Sequence, residues 1–187
     1  MPEPHIHPRR SLRLKGFDYT STGLYFLTIC SKNRACLFGE IIDSKISLIH
    51  AGELVRVIWN ELPKHFPDID TDAFVIMPNH LHGIGGISDT PVGAIHELPL
   101  QQNNPTLRRK MLLPKVVGYL KMNSAKRINQ SRNFPGFPVW QRNYYDRIIR
   151  NDEELNRIRQ YIMDNPLNWE IDAENPKATI PNVEDLW

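Results

Sequence analysis

Two histidines and a tyrosine carry most of the chemistry that the residue types of this chain suggest. His80 and His82 flank one leucine in Met77-Pro78-Asn79-His80-Leu81-His82-Gly83-Ile84. On a strand, period-two geometry puts both imidazoles on one face, about 6 to 7 Å apart along the backbone, with Leu81 on the other. Two imidazoles so placed can converge on one divalent ion. On a helix the same spacing would send them to nearly opposite sides, so the chemistry depends on the strand. The pair by itself is equally compatible with hydrogen-bonded histidines that bind nothing. The continuation through Gly83, Gly85 and Gly86 tilts the reading toward a site, because it leaves room for a ligand near the backbone. In RQYIMDNP, Tyr161 and Asn165 stand at i and i+4 on one helix face, where a phenol and an amide oxygen can reach the same ion. Core packing for Tyr161 and a helix C-cap for Asn165, just before Pro166, are the alternatives.

The elements that must hold these residues follow from apolar periodicity. Leu24 to Cys30 is a β-branched and aromatic strand, and Glu40 to Ile49 a less buried hairpin. Leu54, Val55, Ile58, Leu62 and Phe66 recur at helical spacing and stop at Pro67. Strands are expected over Thr71 to Met77 and His80 to Ile87, joined as a hairpin at Pro78-Asn79. Ser88 to Thr106 holds three prolines and a QQNN run and is expected to be a long loop. A helix begins near Pro114 and carries Val116, Val117, Leu120 and Ile128; a strand spans Tyr144 to Arg150; Asn151 caps a third helix that ends at Pro166. This order predicts a ferredoxin-like α+β sandwich, an antiparallel sheet with helices on one face.

Length and charge bound the function further. The 187 residues, 41% hydrophobic and 24% charged, suit one globular domain. No apolar run reaches the roughly 20 residues of a membrane span, so a cytoplasmic protein is expected, and Cys30 and Cys36 have no disulfide pattern. The net charge of +2 conceals a strongly basic middle: residues 108–150 hold 11 Lys or Arg and 1 acidic residue, whereas residues 151–187 hold 3 and 9. Arg108, Arg109, Lys110, Lys115, Lys121, Lys126, Arg127, Arg142, Arg147 and Arg150 are therefore the candidate phosphate contacts, with Arg132 among them in sequence. Tyr144, Tyr145 and Trp140 are candidates to stack bases, although Trp140 equally suits sheet packing. The expected organisation is a basic tail at 1–19, a catalytic domain at 20–169 and an acidic tail at 170–187.

MPNHLHGI, the basic helix, VWQRNYYDRIIRNDEEL and RQYIMDNPLNW, in that order over residues 20 to 170, resemble the single-tyrosine HUH transposases, in the branch related to the REP-associated tyrosine transposases. The resemblance implies the HUH nuclease fold, with His80 and His82 as metal ligands, Asn165 as a third ligand and Tyr161 as the nucleophile. It also implies Mg²⁺ or Mn²⁺ as cofactor, single-stranded or hairpin DNA as partner, and a 5′-phosphotyrosine intermediate in strand nicking and transfer. The stretch from Ser88 to Thr106 is longer than that pattern needs. Two other classes remain open on residues alone: a DNA-binding regulator that does not cleave, and a metal-dependent nuclease using water. Monomer and homodimer are both open.

Overall fold

Alternate residues of each strand are buried against different partners, and this sorts the sheet into two faces. The computed structural model describes residues 23–88 and 112–178. In it, β1 (Gly23–Cys30) is followed by a small hairpin, β2 (Gly39–Ile42) and β3 (Lys45–Leu48), then by α1 (His50–His65). Next come β4 (Ile69–Ile76) and β5 (His80–Ile87), and then α2 (Leu112–Ser131), β6 (Tyr145–Ile149) and α3 (Asp152–Asp164). The main sheet has the order β4-β5-β1-β6, with each neighbouring pair antiparallel. With α1 and α2 as the crossovers, this is the ferredoxin-like arrangement that the order of elements predicted.

Tyr25, Leu27 and Ile29 of β1 point to one face and are covered by Val55, Ile58, Trp59 and Leu62 of α1 and by Leu113, Val116, Val117 and Leu120 of α2. Burying each of these side chains contributes about 1.5 to 3 kcal/mol. Gly83 belongs to this packing: a Cβ there would lie 2.4 Å from the Trp59 ring. The glycine thus makes room for an indole, not for a ligand near the backbone. Trp140 lies against Phe38 at 4.7 Å and donates from Nε1 to Ser124 Oγ at 2.9 Å, so it is a core residue rather than a base-stacking one.

The third helix departs from the expectation of helices on one face. Phe26 of β1, Ile84 of β5 and Ile149 of β6 point the other way, and α3 covers them with Leu155, Ile158 and Ile162. These three recur at i, i+3 and i+7, one stripe of a helix. The helix starts where Asn151 accepts from the Glu154 N–H at 2.8 Å, while Glu154 Oε2 accepts from the Arg150 N–H at 2.9 Å. A bulge between Thr71 and Phe74 in β4 accompanies the placement of Asp72 beside Arg159 of α3, whose Nε donates to it at 3.0 Å. The arginine holds the Asp72 carboxyl below the usual carboxylate range. Cap, stripe and ion pair together set the rotation of the helix that carries Tyr161.

Candidate active site and metal centre

β5 is central and buried along its whole length, so a polar side chain on it must find partners within the protein. His80 stands opposite Cys30 and His82 opposite Thr28, and both imidazoles project to the α3 face with ring centroids 4.5 Å apart. Asn79 fixes the orientation of His80. Its amide Nδ2 donates to the carbonyls of Arg34 at 3.0 Å and Glu174 at 2.7 Å, which leaves Asn79 Oδ1 as an acceptor. His80 Nδ1–H meets that oxygen at 2.8 Å, so Nε2 carries the lone pair and has no hydrogen-bond partner. His82 Nδ1 lies 2.9 Å from Thr28 Oγ1, and its ring stacks on Phe26 at 5.1 Å. Burial pushes His80 down to about 4; burial and then His80 push His82 down to about 3. Both rings are therefore neutral at pH 7, the form that binds a metal.

The tyrosine comes to the same place. Tyr161 Oη lies 3.3 Å from His82 Nε2, and the phenol packs edge-on to Phe26 at 6.0 Å. One turn on, Asn165 is buried, donates from Nδ2 to Asp172 Oδ2 at 3.0 Å, and has an Oδ1 without a partner. Burial and the Asp172 carboxylate raise the phenol above its ordinary pKa. The four residues singled out by spacing, His80, His82, Tyr161 and Asn165, thus gather at one point on the sheet. A divalent ion fits the donor set: two neutral imidazoles, an orphaned amide oxygen and, from residue 172, a carboxylate. Ligand atoms of His80, His82 and Asp172 lie within 4.8 Å of one another. Residue-by-residue inspection missed Asp172, Asn79 and Thr28. Asn79 adjoins the first histidine and could have been found there, whereas nothing in the acidic stretch after Pro166 distinguished Asp172 from its neighbours.

Among the described residues the basic segment does not form one surface. Arg108, Arg109 and Lys110 lie outside the described residues, as do most of the 88–106 stretch and the tail at 1–19. Lys115 and Lys126 are exposed on α2, in the helical layer across the sheet from the histidines. Arg127 in the same layer pairs with Glu61 at 3.2 Å. Lys121 turns inward: its ammonium donates to the carbonyls of Gln141, of Arg142 at 3.0 Å and of Asn143 at 3.5 Å, and so pins the approach to β6. Burial pushes its pKa down to about 8. Arg142 and Arg150 are exposed, and Arg147 stands opposite Phe26 on the site face, paired with Glu154. Tyr145, opposite Thr28, is 38% exposed and shares a groove of about 190 Å³ with Cys30, Arg34, Asn143 and Glu174.

Among the described residues no helix is long and apolar enough to cross a membrane. No family model matches the chain. A Haemophilus influenzae protein described only as uncharacterized is 44% identical over 168 residues, 89% of this chain and 93% of its own length. At that identity and coverage the two belong to one family. A second protein of that organism, provisionally named a REP-associated tyrosine transposase, is 26% identical over 151 residues, 80% of this chain and 73% of its own. Among solved structures, a REP-associated tyrosine transposase bound to a REP hairpin aligns with a TM-score of 0.50 at 18% identity, over 83% of this chain and 74% of that one. The likeness in structure establishes the shared fold.

Proposed function

We propose that this chain, a relative of the REP-associated tyrosine transposases in sequence and in fold, nicks and rejoins single-stranded or hairpin DNA through Tyr161. The observation that carries the reading is the convergence of Tyr161 Oη, 3.3 Å from His82 Nε2, with the unpartnered Nε2 of His80. His80, His82 and Asn165 hold Mg²⁺ or Mn²⁺. When bound, the ion neutralises charge on the scissile phosphate and offsets the burial and carboxylate that keep the phenol protonated.

The remaining steps belong to the chain's own residues. Asn79 and Thr28 orient the imidazoles, so that the lone pairs face the site without rearrangement. Tyr161 loses its phenolic proton to solvent and its oxygen attacks phosphorus. The bond from phosphorus to the 3′ oxygen breaks, leaving a 5′-phosphotyrosine and a free 3′-OH. Attack by a 3′-OH on that phosphotyrosine reverses the step and returns the tyrosine, so strands are rejoined without an external energy source. Phe26 holds the phenol from one side, and the Asp72 to Arg159 pair fixes its helix. Arg147, Arg142 and Tyr145, on or beside the site face, guide the strand. The protein acts in the cytoplasm.

Incubation with labelled single-stranded hairpin DNA and Mn²⁺ tests the reading. The wild-type protein yields a protein-linked DNA product and Tyr161→Phe yields none, although the variant folds and binds DNA as before. An adduct mapped to Tyr119, Tyr144 or Tyr145 would overturn the assignment. Binding without any adduct would favour a non-cleaving regulator, and cleavage with a free 5′-phosphate a water-using nuclease.

A further inference from the structure

Beyond α3 the chain turns back over the site. A short 3-10 turn, Trp169–Ile171, brings the Trp169 indole to 6.2 Å from the His80 ring, and the next residues are tied to the strand ends. Glu174 accepts on its carbonyl from Asn79, and its carboxylate takes the Arg34 guanidinium at 2.9 Å and the Cys30 thiol at 3.3 Å. Asp172 Oδ1 accepts from the Glu174 N–H at 2.6 Å. Its Oδ2 accepts from Asn165 and stands 4.0 Å from His80 Nε2.

That last separation is the informative one. His80 Nδ1 is taken up by Asn79 Oδ1, and Nε2, at 4.0 Å, stands beyond hydrogen-bond reach of Asp172 Oδ2 and has no partner. Two unpartnered acceptors, His80 Nε2 and Asn165 Oδ1, stand with a carboxylate whose oxygens accept from the Asn165 amide and the Glu174 N–H. Two buried acceptors left unpartnered beside a carboxylate are costly unless a cation joins them. Two atoms that each lie about 2.1 Å from one ion are at most about 4.2 Å apart, which this spacing meets. His82, within the 4.8 Å limit of the cluster, needs to close by only a few tenths of an ångström.

We infer that Asp172 is itself a ligand of the divalent ion, supplied by the segment beyond the catalytic helix and completing a set of two imidazoles, one amide oxygen and one carboxylate. The inference rests on the metal site proposed above and extends it in two ways. The carboxylate is the only charged member of the set, so it supplies the strongest attraction for the ion. It also makes metal binding and the docking of residues 168–176 onto the sheet a single event, and the functional unit extends past the expected boundary at 169.

The test is titration of the full-length, metal-free protein with Mn²⁺ alone, read by calorimetry, with hydrogen exchange of residues 168–176 as a second readout. Asp172→Asn keeps the side-chain shape and an acceptor for Asn165, so it is expected to fold, as a melting curve in chelator will show. It should weaken Mn²⁺ binding by more than about 100-fold, beyond the roughly 10- to 100-fold that losing an outer-shell partner costs. A smaller loss would make Asp172 a support for Asn165 and overturn the ligand assignment. Glu174→Gln, in the same segment but outside the donor cluster, should change affinity by less than about threefold. Mn²⁺ should slow exchange in residues 168–176 of the wild type and not of Asp172→Asn. If Asp172→Asn binds Mn²⁺ like the wild type while His80→Ala loses it, the inference fails and the underlying metal site stands. If His80→Ala also binds normally, both fail. Equal losses in Asp172→Asn and Glu174→Gln would mean that the segment acts only by packing, which also overturns the ligand assignment.

Discussion

The two faces of the main sheet are made by alternate residues of the same strands, yet they are built on opposite terms. On the α1/α2 face Tyr25, Leu27, Ile29 and Leu81 meet Trp59, Leu62 and Val117 in an apolar packing so close that Gly83 has no room for a methyl group. On the α3 face the same strands present Thr28, His80 and His82, and there His80 and Asn165 keep polar atoms that no protein group satisfies. Buried unpartnered acceptors call for an explanation, and beside two imidazoles an ion supplies one. One face holds the fold together, and the other leaves ligand positions for an ion. Each face should therefore respond to a different kind of change.

His80→Ala or His82→Ala should have the largest effect, lowering Mn²⁺ affinity by at least about 10-fold and taking DNA cleavage below detection. Both side chains are buried, so some stability is lost as well; in His80→Ala the Asn79 Oδ1 loses its donor, at a cost of about 1 to 3 kcal/mol. Calorimetric titration and denaturant melts separate the two effects, and cleavage at wild-type level by both variants would sink the contrast. Gly83→Ala acts on the other face. Its methyl group collides with the Trp59 ring and should destabilise by about 1 to 3 kcal/mol in urea unfolding, with Mn²⁺ affinity of the folded protein unchanged.

Lys121→Met tests whether charge in the basic segment serves structure. Loss of the ammonium leaves the carbonyls of Gln141 and Arg142 without their donor, and should cost about 1 to 2 kcal/mol while the salt dependence of DNA binding stays as it was. The smallest expected effect is the most specific to the comparison. Arg147→Ala, on the site face, should reduce the slope of log affinity against log salt by about one unit, and Lys115→Ala, on the far layer, should leave it unchanged. Equal slopes for the two variants would mean that DNA does not distinguish the faces.

How much of this was legible in the sequence depended on the range of the physics involved. Strand and helix positions follow from periods of two and 3.6 residues, which act within a few residues, and the described elements fall where apolar spacing put them. The same local rules placed His80 and His82 on one side of a strand and Tyr161 and Asn165 on one side of a helix. They also marked Asn151 as a cap, borne out by its bond to the Glu154 N–H.

Tertiary structure decided what no local period encodes. The Asn79 amide that sets the His80 tautomer reaches Glu174, 95 positions away, and the Arg159 to Asp72 pair that seats α3 spans 87. Charge counted along the chain treated residues 108–150 as one patch, but a helix and a strand on different layers divide the described part of it, and Lys121 turns inward. The glycines of β5 looked like space for a ligand until Trp59, from another element, filled the space at Gly83. The acidic stretch after Pro166 looked like a solvated tail because its residue types are those of a surface. Only the return of the chain over the sheet put the Asp172 carboxylate beside a histidine whose Nε2 has no partner. Spacing along a chain orients neighbouring side chains, but where distant segments meet is set by the packing of the whole molecule.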